Sequence, residues 1–183
     1  MKRAAVMELL RRHTARVTDV HEAAMTAETI RFVETEADCL LRSCLPGHLT
    51  GSAWIVSPDR MRTLLTHHRK LDKWLQLGGH ADGDGDLPGV AAREATEESG
   101  LAEVRMVSGE IFDLDRHWIP ARKNEPGHYH YDLRFLFEAD PTATIVVSHE
   151  SKDLAWIELA RVTGLNPEES MARMVRKTNG GVP

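Results

Sequence analysis

The sequence predicts a mixed α/β fold, with two helical segments ahead of strands that surround one glycine-led helix. Three observations predict it. Apolar residues recur at helical spacing over 2–16 and 26–44. Short extended runs bounded by turn residues begin at Ser52. An acidic, glycine-rich loop then opens a run from Val90 to Ser99 that no breaker interrupts, and more extended runs follow.

Each element follows from its residues. In 2–16, Ala5, Val6, Leu9 and Leu10 share one side of a helix. In 26–44, Ile30, Val33, Ala37, Leu40 and Leu41 do the same, and Pro46-Gly47 ends the region. Ser52 to Val56 and Met61 to Thr66 read as strands around a Ser57-Pro58-Asp59-Arg60 turn. Trp74 to Leu77 reads as a short strand entering Gly78-Gly79. Later strand candidates are 102–107, 110–114, 128–137 and 154–157, with 115–127 as a loop. Asn166-Pro167-Glu168 opens a last helix that runs to about Lys177.

Composition narrows the class. A chain of 183 residues suits one domain with an ordinary core. We divide 1–183 into a helical N-terminal extension (1–46), a core (47–165) and a C-terminal helix (166–183). A net charge of −5 argues against a broad nucleic-acid surface, while a small anionic substrate stays open because bound cations can dominate a local field. Cys39 and Cys44 fit no zinc spacing and read as buried thiols in a reducing, cytoplasmic setting. No run has the length of a membrane span, and the first residues show no long apolar core of a signal peptide. The added helices could cap the core or form a homodimer surface.

The most informative stretch is HADGDGDLPGVAAREATEESGL, His80 to Leu101. Its Asp-x-Asp-x-Asp start suggests a calcium loop. Counted from Asp82, however, the sixth position is Leu87 rather than Gly, and the twelfth is Arg93, a cation facing a cation. The second half reads as a helix, with Asp86 as a cap, Pro88 in the first turn and Gly100 as a stop. Glu94, Glu97 and Glu98 stand at i, i+3 and i+4, so three carboxylates share one face. Like charges so placed destabilise a bare helix, a cost that makes sense if divalent cations sit among them. Arg93 lies four residues before Glu97 and can pair with it. A merely solvated charge-rich face is the competing reading.

Gly79, then Arg93-Glu94-Ala95-x-Glu97-Glu98-x-Gly100-Leu101, resembles the Nudix box, G-x5-E-x7-R-E-U-x-E-E-x-G-U with U aliphatic. Eight of the nine specified positions are filled over 79–101. The exception is the first Glu, where Gly85 stands between Asp84 and Asp86. In the family that Glu supports the loop–helix architecture more than it binds metal. The resemblance implies an α/β/α sandwich with a mixed sheet, and hydrolysis of a diphosphate bond in a nucleoside diphosphate linked to another moiety or in a nucleoside triphosphate. It implies Mg²⁺ or Mn²⁺ held by Glu94, Glu97, Glu98 and the Gly79 carbonyl, with Arg93 among the catalytic residues.

The second informative stretch is Asp113 to Arg134. From His128 the pattern alternates, with His128, His130, Asp132 and Arg134 on one face and Tyr129, Tyr131, Leu133, Phe135 and Phe137 on the other. The apolar face reads as core. His128, His130 and Asp132 admit three readings: a metal site, a hydrated strand face, or a face that contacts substrate. The last is favoured because polar groups on rigid elements commonly orient ligands. Residues two apart on a strand rarely converge on one ion without help from elsewhere. Arg122 and Lys123 could meet phosphate oxygens, Glu125 a ribose or base, and Trp118 could stack on a base, although solvated loop charges and ordinary packing explain them as well. His80, directly after Gly79, is a further candidate substrate contact. The family often draws an acidic residue from a late loop to the metals or as base, and Glu150 is the candidate, with Asp153 next. The main alternative to an enzyme is a Nudix-fold nucleotide-binding module or sensor, whose expected mark, a lost box glutamate on the helix, is absent. Isomerase chemistry would need a catalytic Cys, and neither Cys39 nor Cys44 lies in a matching motif.

Overall fold

The computed structural model describes residues 2–122, 126–149 and 151–180. The fold is mixed α/β as expected, with helices α1 (Lys2–Thr14), α2 (Val20–Thr35), α3 (Leu87–Ser99), α4 (Leu159–Leu165) and α5 (Glu169–Asn179). The strands are β1 (Gly47–Val56), β2 (Arg62–His68), β3 (Lys73–Leu75), β4 (Leu77–His80), β5 (Arg105–Met106), β6 (Asp113–Ile119), β7 (His128–Glu138) and β8 (Ser151–Glu158). The chain forms two compact units.

One unit comprises Met1–Ser52, Gly79–Ala91 and Ser108–Phe135. Helix α2 starts earlier and ends earlier than its apolar spacing predicts. Asp19 caps it by accepting from the Glu22 N–H at 2.9 Å, and residues 36–43 turn instead of continuing the helix. Cys39 and Cys44 are therefore buried in turns rather than on a helix, and burial raises both thiol pKa values. Glu22, capable of closing a capping box, reaches elsewhere. It meets His13 at 3.0 Å and accepts from the Leu114 N–H at 3.1 Å, a buried link from α1 and α2 to β6. Phe32 of α2 stacks on Tyr131 of β7 with ring centroids 4.0 Å apart. Strand β6 continues through Ile119 into the segment predicted as loop. Its antiparallel pairing with β7, Asp113 opposite Arg134 through Ile119 opposite His128, supplies the backbone partners that extend it.

The other unit comprises Ala53–Gly78, Ala92–Val107 and Leu136–Pro183. The predicted hairpin is present: Ile55 pairs Leu64 and Val56 pairs Thr63. Strand β2 also pairs antiparallel with β3 and with β8. The predicted 74–77 strand is two short strands separated at Gln76, and the 102–107 candidate shrinks to the two-residue β5, paired with the end of β7. Leu64, Leu65, Val162, Met171 and Met174 are fully buried, and Trp54 donates from Nε1 to Thr178 Oγ1 at 2.9 Å. Helix α4, absent from the sequence reading, follows β8 without a side-chain cap, so no turn residue announces it. Among the described residues no helix is long and apolar enough to cross a membrane.

Candidate active site

The helix bearing the carboxylates begins and ends as predicted. Asp86 Oδ1 accepts from the Gly89 N–H at 3.2 Å, and Gly100, at φ +66°, ends it while its N–H donates to Thr96. Ala91 and Ala95 are fully buried, which leaves Glu94 and Glu98 half-buried and Glu97 exposed. Glu98 is oriented by backbone: its Oε2 accepts from the Gly78 N–H at 3.0 Å. Arg93 reaches Glu94 at 3.7 Å rather than the Glu97 that the spacing predicts. At that distance on a solvent-facing side chain it is an ion pair without a hydrogen bond. Three carboxylates on one helical face suit a hard divalent cation, so the donor chemistry fits Mg²⁺ or Mn²⁺.

The acidic loop before the helix is satisfied by protein groups. Asp82 receives a bidentate Arg42 at 2.6 and 2.7 Å. Asp84 Oδ1 accepts from the Asp86 N–H, and Asp86 caps the helix. Gly85, where the box has Glu, has a physical reason. A Cβ there would lie 2.6 Å from the Lys2 carbonyl oxygen and 2.8 Å from Lys2 Cα, so the start of α1 occupies the space a side chain would need. Lys2 Nζ donates to the neighbouring Gly83 carbonyl at 2.6 Å.

On β7 the polar face is buried instead of hydrated. Arg134 is 3 % exposed; it donates from Nε to Asp132 at 2.8 Å and from Nη1 to Asp113 at 3.0 Å, with Asp115 at 3.9 Å. Burial disfavours its charge, but the three carboxylates outweigh burial and raise its pKa. Asp132 also accepts from Thr50 at 2.8 Å and Ser52 at 2.7 Å. Burial alone would raise its pKa; Arg134, His117 and the Ser52 hydroxyl outweigh burial and lower it. Asp132 therefore stands inside a buried network of β1, β6 and β7, with His117 near enough to favour its charge, and it is not among the side chains whose ligand atoms converge with those of His128 and His130.

What joins His128 and His130 is His48 of β1, which the sequence reading missed. The ligand atoms of His48, His128 and His130 lie within 4.8 Å of one another. His80 adjoins them, its ring centroid 4.9 Å from that of His48 and 5.0 Å from that of His130, and His117 lies opposite His130 on β6. Burial, then Arg42 and His48, push the His80 pKa down to about 4; burial, then His117 and His80, push that of His130 to about 2. A signal was present: the chain has three Gly-His dipeptides, at 47–48, 79–80 and 127–128, and all three histidines converge. Gly47 is required there, since a Cβ on it would lie 2.3 Å from the Tyr129 carbonyl oxygen. Arg122 is exposed, and Trp118 packs edge-on against Tyr129. Asp153 lies exposed on β8. Lys123, Glu125 and Glu150 lie outside the described residues.

Comparison with known proteins decides the family. A model of the NUDIX domain matches residues 48–177, well over half of the chain. The chain belongs to the NUDIX family. Solved structures of this NUDIX fold agree. An Ap4A hydrolase from C. elegans, in a binary complex, superposes with a TM-score of 0.57 at 18% identity, covering 72% of this chain and 95% of that one. The E. coli dihydroneopterin triphosphate pyrophosphohydrolase gives 0.54 at 16%, covering 70% and 92%. The NUDIX domain of Shewanella oneidensis NrtR, complexed with ADP ribose, gives 0.51 at 13%, covering 82% and 96%. At these identities the likeness is one of fold. No curated protein matches the sequence. The NUDIX match begins one residue after the boundary drawn at 47 and runs past 165 through most of α5.

Proposed function

We propose that the chain is a pyrophosphohydrolase that cleaves a diphosphate bond in a nucleoside diphosphate linked to another moiety or in a nucleoside triphosphate. The observation that carries the reading is the intact carboxylate face of α3, with Glu94, Glu97 and Glu98 present and Glu98 oriented by the Gly78 N–H. These three would hold Mg²⁺ or Mn²⁺, and the motif adds the Gly79 carbonyl. Such a cation supplies charge neutralisation for phosphoryl oxygens and lowers the pKa of bound water. The residues' own work is to fix oxygen donors in place. Glu98 cannot swing away without breaking its backbone hydrogen bond, and the buried Ala91 and Ala95 seat the helix. Arg93, beside Glu94, screens like charges on the face. A carboxylate outside the ligand set would take the proton from water, and Glu150, outside the described residues, is the candidate from the sequence. His80 and Arg122 are the proposed direct substrate contacts. Asp132 serves through Arg134, as a positioning residue.

Two of the similar solved proteins are a hydrolase of Ap4A and a pyrophosphohydrolase of dihydroneopterin triphosphate, chemistry of the same class. The test is phosphate or nucleotide release from ADP-ribose, dinucleoside polyphosphates, NADH, nucleotide sugars, CDP-alcohols and (d)NTPs in millimolar Mg²⁺. Turnover of one class, lost in Glu98→Gln, is the expected result. Binding of a nucleotide without turnover anywhere in the panel would overturn the hydrolase in favour of a sensor.

A further inference from the structure

The histidine cluster has a chemistry that the carboxylate face does not. Residues 128 and 130 project from the same side of β7, and the obstacle to their sharing an ion is that two ligands on one strand need a third from elsewhere. Strand β1 supplies it. His48 is 2 % exposed, and its ring centroid is 4.8 Å from those of both His128 and His130. Two ring nitrogens already stand at ligand spacing: His128 Nε2 and His130 Nε2 are 3.2 Å apart. Two nitrogens of a tetrahedral zinc site, each about 2.0–2.1 Å from the metal, are separated by about 3.3 Å.

The outer contact fits as well. His128 Nδ1 lies 2.9 Å from the Pro126 carbonyl oxygen. A carbonyl can only accept, so Nδ1 carries the proton and Nε2 presents a lone pair to the cluster. A backbone carbonyl that holds the far ring nitrogen is the usual support of a metal-bound imidazole. All three ligand atoms lie within 4.8 Å of one another, so capture of an ion would draw the widest pair together by about 1.5 Å. The flanking rows are rigid, because His48 shares its strand face with Thr50 and Ser52, both tied to Asp132.

We propose that His48, His128 and His130 form a binding centre for a divalent first-row transition cation of the Zn²⁺ class, with a fourth position left open. Three imidazole nitrogens select against Mg²⁺, which takes oxygen donors, and so separate this centre in chemistry from the glutamates of α3. An open fourth position on a His₃ centre is the arrangement that accepts water or an oxygen of a ligand. The proposal is independent of the hydrolase reading, because metal binding is read without turnover.

The test is Co²⁺ titration of the chelator-treated 183-residue chain in millimolar Mg²⁺, followed by visible absorption, with Zn²⁺ as competitor. One equivalent of Co²⁺ is expected to give intense tetrahedral bands that one equivalent of Zn²⁺ removes. His130→Ala should weaken Co²⁺ binding at least about 100-fold, while Glu97→Gln keeps the bands. Circular dichroism checks that each variant is folded. X-ray absorption on the Zn²⁺-loaded wild type needs no variant, and should show three imidazole nitrogens at about 2.0 Å. Octahedral-type weak bands only, fewer than two imidazoles around zinc, or bands lost in Glu97→Gln and kept in His130→Ala would each overturn the centre.

Discussion

The carboxylate face of α3 and the imidazole face of β1 and β7 are both sets of convergent ligand atoms, built in opposite ways. Glu94, Glu97 and Glu98 converge because a helix repeats every 3.6 residues, so five consecutive positions suffice. His48, His128 and His130 converge because two strands far apart in the chain run side by side, with the first two ligands 80 positions apart. The first set offers hard oxygen donors, half in water. The second offers nitrogen donors in a buried setting that disfavours the charged imidazole. A site written in local spacing can tolerate exposed, mutually repelling groups, because the helix holds them. A site assembled from distant strands needs a buried frame, and here that frame is Asp132 with Arg134.

The largest expected effect breaks the comparison on the helix side. Glu97→Gln or Glu98→Gln removes one unit of charge from the metal donors with almost no change in shape. Activity on the identified substrate should fall by roughly three orders of magnitude or more, with the thermal midpoint unchanged. Near-normal turnover would remove these residues from the reaction. On the strand side, Arg134→Met leaves Asp113 and Asp132 buried without their cation. The expected loss is about 3–5 kcal/mol in urea unfolding. A loss below about 1 kcal/mol would mean that the carboxylates find water and that the frame is not rigid.

The same contrast explains what could be read from the sequence. The box helix, its Asp86 cap and its Gly100 stop were legible because each signal lies within one turn of the group it serves. The β1–β2 hairpin was legible for the same reason. His48 was legible only as one of three Gly-His dipeptides, because no local spacing places β1 beside β7. Asp132 and Arg134 were placed on the right face, but the pattern could not tell a hydrated face from one covered by β6 and β1. Helix α2 starts and ends earlier than its apolar spacing suggests, because Asp19 caps it and the spacing continues into turns at 36–43. Gly85 looked like a defect of the motif; the explanation, Lys2 pressed against it, comes from a helix more than 80 residues away in the chain.

That explanation predicts a third, smaller effect. Gly85→Glu restores the motif letter for letter and should nonetheless destabilise the protein by roughly 1–3 kcal/mol, as other over-packed substitutions do. Calorimetry of the full chain checks it. A stabilised variant would show that the start of α1 yields freely and that the gap has no steric cause.

The smallest effect concerns the acidic loop between those two regions of sequence. Arg42 grips Asp82 through two short hydrogen bonds, yet both side chains are more than half exposed. Water and salt screen such a pair, so Arg42→Ala should cost less than about 1 kcal/mol, and less still in high salt. Asp82 also sits at φ +47°, a region that a side chain other than glycine enters at some cost. Asp82→Gly removes the ion pair and relieves that backbone together, so its effect should be smaller than that of Arg42→Ala, or of opposite sign. If instead Arg42→Ala costs several kcal/mol, the pair is a structural clamp on the loop. The loop would then belong with the buried Asp132–Arg134 frame rather than with the exposed face of α3.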